Sequence, residues 1–65
     1  MRHLINEVEL WNLYHLARVA TSGTDQNTRY GWNLWASKEY AKAHPEVSST
    51  AAYKALCRGQ EWRNR

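Results

Sequence analysis

The chain has 65 residues and a net charge of +3. A chain this short buries a modest share of its surface on folding, so one domain is the ceiling and a deep catalytic cleft has no room to form; the expectation is a binding domain, not an enzyme. A single cysteine, Cys57, cannot close an internal disulfide. Stability must then come from large side chains, here Trp11, Trp32, Trp35 and Trp62 with Tyr14, Tyr30, Tyr40 and Tyr53. Phe is absent, so every aromatic carries a polar atom suited to a half-buried position.

The charge is unevenly placed. Residues 1–31 balance Arg2, Arg18 and Arg29 against Glu7, Glu9 and Asp25, whereas residues 32–65 set six basic side chains against Glu39, Glu46 and Glu61. The excess falls in the last quarter, as a surface facing a polyanion requires, although a basic tail also serves solubility.

At the N-terminus, Glu7 and Glu9 interrupt the apolar residues, so neither a signal peptide nor a membrane span is expected there. The expected setting is the cytoplasm, with Cys57 reduced and no membrane partner. Residues 4–20 lack Gly and Pro, and Leu4, Val8, Trp11 with Leu10, Leu13, Tyr14, Ala17 and Ala20 recur at steps of three and four. That period predicts a helix. Its apolar side is wide, which suggests a homodimer through residues 4–20 with Leu4 and Trp11 near the interface.

Residues 21–27 (TSGTDQN) form a polar run in which Gly23 is placed to end that helix. A connector through residues 29–33 leads to a second helix over 34–44, capped by Asn33 or Ser37 and stopped by Pro45. Ser48 or Ser49 caps a third helix over 48–58, which Gly59 ends, leaving residues 60–65 as a basic tail. The fold class is therefore all-α, a small single three-helix domain with a C-terminal helix-turn-helix over 34–59.

Residues 37–59 read SKEYAKAHPEVSSTAAYKALCRG. Glu39 and Ala41, Val47-Ser48, Tyr53-Lys54 and Arg58-Gly59 resemble the compact helix-turn-helix of phage excisionase-like and MerR-like DNA-binding modules. The resemblance covers about a third of the chain. Several positions depart from the family pattern: Pro45-Glu46 makes the turn one residue longer, Tyr40 and Ala43 replace a small residue and a leucine, and Thr50 comes one place early. What it implies is double-stranded DNA as partner. A helix lying in the major groove needs small inner residues, which Ala52, Ala55 and Leu56 supply, and outer hydroxyls followed by cations. The DNA-binding residues expected on this basis are Ser49, Thr50, Tyr53, Lys54, Arg58 and Arg63.

Other constellations are weaker. His3, His15, His44 and Cys57 lack the spacing of metal ligands, so neither a metal nor any cofactor is expected. Cys57 with His44 has no third group to orient it and no oxyanion donors, and reads as a packed thiol. The tryptophans read as core, or as an aromatic surface for a protein partner, with Trp62 the outermost. Two functions follow: a phage- or plasmid-type DNA-binding regulator or architectural factor, or a small modulator that blocks a larger protein through its Trp/Tyr-rich surface.

Overall fold

The computed structural model describes residues 5–63, with side chains through Gln60. These residues form three α-helices and no strand: α1 (Glu7–Ala20), α2 (Arg29–Ala43) and α3 (Ser49–Arg63). The all-α, three-helix expectation holds. The middle helix α2 packs against both neighbours, while α1 and α3 touch each other little.

Asn6 opens α1, its Oδ1 accepting from the Glu9 amide at 3.2 Å. Its own amide donates to the Tyr40 hydroxyl at 2.9 Å, which ties the start of α1 to the far end of α2. The helix thus begins at Glu7, and Leu4 lies outside the described residues. Thr21 closes it: amide and hydroxyl both donate to the Ala17 carbonyl, at 2.9 and 2.8 Å. Gly23, at φ +80°, then sits in a turn closed by the Thr24 amide on the Thr21 carbonyl. A left-handed third turn position is where glycine carries no side-chain penalty.

The second helix starts at Arg29, five residues before the expected Leu34. Thr28 is its cap, with Oγ1 accepting from the Gly31 amide at 3.1 Å. Asn33 and Ser37 are therefore interior residues, both buried, and not caps. Gly31 belongs to the first helical turn, directly beneath the Gln26 carbonyl, where a Cβ would collide with backbone. It is a glycine of close approach. The helix ends where expected, with the His44 amide donating to the Tyr40 carbonyl just before Pro45.

Ser48 caps α3, its hydroxyl accepting from the Ala51 amide at 3.1 Å. The helix does not stop at Gly59 but runs on to Arg63, so residues 60–63 are not a tail. Gly59 instead faces Trp11: a Cβ there would lie 2.6 Å from Trp11 Cζ2. Nothing to its C-terminal side breaks a helix, and close contact with α1 accounts for the glycine.

The core gathers Leu10, Tyr14, Ala36, Tyr40, Val47, Ala52 and Leu56, with Trp11 and Trp32 packed against its edge. Ala36 and Ala52 are fully buried, which lets α2 and α3 lie close together. His44 fastens the α2–α3 turn to α1, with Nε2 2.7 Å from Glu9 Oε2 and its ring stacked 4.4 Å from Tyr40.

One polar pair fixes the register of α2 against α3. Buried Asn33 exchanges hydrogen bonds with Gln60, donating at 3.4 Å and accepting at 2.9 Å. Removing one member strands the other, which costs about 1–3 kcal/mol. Gln60→Leu should lower stability by that amount in urea titration, and Asn33→Leu/Gln60→Leu should recover part of it. A single Gln60→Leu variant as stable as the parent would count against the pair.

Candidate nucleic-acid interface

The inner side of α3 carries Ala52 and Leu56, both at 0% exposure, and half-buried Ala55 completes it. On the opposite side, Thr50, Lys54 and Arg58 are exposed at steps of four, forming one stripe along about 12 Å of helix. Ser49 is exposed beside the stripe's first turn. Four of the six sequence-selected residues, Ser49, Thr50, Lys54 and Arg58, are thus exposed on α3, whereas Tyr53 packs toward α2. The sixth, Arg63, is in α3, and its side chain lies outside those described.

Tyr53 is half-buried, its ring set edge-on to Tyr30 at 6.1 Å. This contact brings the first turn of α2 beside the middle of α3. Between the two helices lies an open cleft of about 520 Å³ lined by Tyr30, Leu34, Tyr53 and Cys57 together with Ser49, Thr50 and Lys54. Tyr30 was missed in sequence. Once residues 29–33 read as connector, no helical register could place Tyr30 on the α3 side.

Charge availability separates the cations. Lys42 is bound to Glu39 at 3.1 Å, and Arg18 lies over the Trp32 ring at 4.9 Å. Among the described side chains, Lys54 and Arg58 make no ion pair, nor do Arg29 and Lys38. The first turn of α3 holds no acidic residue, so its amides around Ser49 and Thr50 keep their partial positive charge.

The tryptophans are largely committed to the fold. Trp11 packs edge-on to Tyr14 at 5.0 Å, and Trp32 packs on Tyr14 at 5.9 Å while Nε1 donates to Asn27 Oδ1 at 3.0 Å. Trp35 is half-buried, and the Trp62 side chain lies outside those described. No group of three or more His, Cys, Asp or Glu among the described residues is arranged to hold a metal ion. No described helix is long and apolar enough to cross a membrane.

No protein-family model, curated protein or solved structure matches the chain.

Proposed function

We propose that this chain is a small DNA-binding protein, with no catalytic role, in which α2 and α3 act as a helix-turn-helix and α3 enters the major groove. The observation that carries the reading is the exposed Thr50, Lys54 and Arg58 stripe, backed by small residues that hold α3 against α2. A helix of about 10–12 Å diameter fits a groove about 12 Å wide, with its outer side toward the bases and phosphates. Ser49 and Thr50 at the N-terminal end hold the register through phosphate contacts. Lys54 and Arg58 supply neutralising charge or base-edge hydrogen bonds. Supporting Lys42, already paired with Glu39, contributes less.

A titration of duplex DNA at two salt concentrations tests this. Binding should weaken with salt, and Lys54→Ala/Arg58→Ala should make the log–log slope shallower by about two units if both residues meet phosphate. If Arg58 reads a base, Arg58→Ala alone should cost about 1–3 kcal/mol at one base-pair position. A folded double variant that binds duplex like its parent sinks the proposal.

The second reading is a protein-binding modulator. It is favoured by Tyr30, 63% exposed at the mouth of the α2–α3 cleft. A saturable protein complex that tolerates high salt and is lost with Tyr30→Ala would support it over DNA binding.

A further inference from the structure

Away from the α3 stripe, a second part of the surface gathers hydrogen-bond donors. Where the end of α1 meets the start of α2, an open hollow of about 760 Å³ is lined by His15, Arg18, Val19, Ser22, Asn27 and Trp32. No carboxylate lines it, and Asp25, in the loop between the helices, is not among its walls. His15 and Arg18 stand three residues apart on α1, so they share one side of the helix. Both are exposed, and neither makes an ion pair among the described residues.

Aromatic contacts position these groups. Trp32 packs edge-on to Tyr14 at 5.9 Å, and its Nε1 donates to Asn27 Oδ1 at 3.0 Å, so two contacts fix the indole. Arg18 lies 4.9 Å over that indole, and the His15 ring meets Tyr14 edge-on at 6.0 Å. A guanidinium carries five N–H groups, more than one ring contact can use. An imidazole keeps at least one N–H in either protonation state, and Ser22 adds a hydroxyl. The carbonyls that end α1 would repel an anion, but Ala17 already accepts from Thr21 and Val19 from Ser22.

We propose that this hollow binds a phosphoryl group, with Arg18 as its charge partner and His15 and Ser22 as further donors. Three donors of different type, from a helix and the turn after it, suit the several oxygens of a phosphate better than the two of a carboxylate. The hollow is open, so the phosphate can be carried on a chain. Duplex DNA is the source that the fold favours. The first four residues of α2 include Trp32, which lines the hollow, and Tyr30, which meets Tyr53 in the middle of α3. One turn of helix therefore joins the hollow to the α3 side, and backbone phosphates flank any helix seated in the major groove. The choice of source rests on the α3 reading; the site itself does not.

Duplex titrations over a range of salt test the source. Arg18→Gln should weaken binding about five- to tenfold at about 0.1 M salt and make the log–log slope shallower by about one unit. Ser22→Glu, which leaves Arg18 and Trp32 in place, should weaken binding at least as much. Inorganic phosphate, titrated into the free chain against chloride at matched ionic strength, tests the site. The NMR signals of the His15 ring and the Trp32 indole should move and saturate in the millimolar range, and in Arg18→Gln they should not. A shallower slope without phosphate saturation supports a site that needs the chain. Saturation with an unchanged slope assigns the hollow to a small phosphate and overturns duplex DNA as its source. No saturation together with an unchanged slope overturns the site. A parent that fails to bind duplex sinks the α3 reading and the DNA source, and the phosphate titration then decides the site by itself.

Discussion

Gly31→Ala should destabilise the protein by about 2–3 kcal/mol, although the same change in most helix positions stabilises by up to about 1 kcal/mol. The added Cβ would meet the Gln26 carbonyl, with the carbonyl carbon 2.8 Å away. That segment cannot easily retreat. The Gln26 oxygen accepts from the Thr28 amide at 2.8 Å, Thr28 Oγ1 accepts from the Gly31 amide, and Asn27 holds the Trp32 indole. Relief therefore means losing the α2 cap or moving Trp32 away from Tyr14. A domain of this length has about 3–10 kcal/mol of total stability, so the loss is a large fraction of it. Thermal melts should show a fall of roughly 10–20 °C. A variant that melts at or above the parent temperature would falsify this account of the 24–28 loop.

What the sequence could and could not disclose turns on those glycines. The period of residues 4–20 marked α1 because its apolar positions repeat regularly, and Pro45 and Ser48 marked the ends of α2 and α3 through local chemistry. Gly31 and Gly59 carry no local mark to separate a helix stop from a packing contact. Each is required by a residue distant in sequence or on another element: a loop carbonyl for Gly31, the Trp11 ring for Gly59. A weak signal for the longer α3 did exist, since Gln60-Glu61-Trp62-Arg63 contains no breaker. Thr28 could likewise have suggested the earlier start of α2, because it is a good cap residue.

The candidate site was legible for a related reason. The stripe of Thr50, Lys54 and Arg58 depends only on helical spacing within α3 and on Ala52 and Leu56 being its inner residues. Tyr30 depends on how α2 sits against α3 and was hidden. Tyr40, which departs from the helix-turn-helix pattern, is accommodated because its hydroxyl reaches the Asn6 amide while its ring fills the core. A position that resembling modules fill with a small residue here joins the start of α1 to the end of α2.

The Gly59–Trp11 contact gives the other large expected effect, because it is where α1 and α3 meet directly. A Cβ at Gly59 would sit 2.6 Å from Trp11 Cζ2 and 3.4 Å from Cε2. The indole also packs on Tyr14, edge-on at 5.0 Å. Gly59→Val should cost about 2–3 kcal/mol by overpacking plus the lower helix propensity of a β-branched residue. Gly59→Ala should cost about 1 kcal/mol, the clash outweighing the propensity gain. The sign should reverse once the ring is smaller. In a Trp11→Leu background, which has its own cost, Gly59→Ala should stabilise by up to about 1 kcal/mol, a coupling of about 2 kcal/mol in the double-mutant cycle. Urea titrations of the four proteins measure it directly. Additive changes, with Gly59→Ala stabilising in both backgrounds, would mean that Gly59 does not seat the indole and that α1 is held to the bundle by α2 alone.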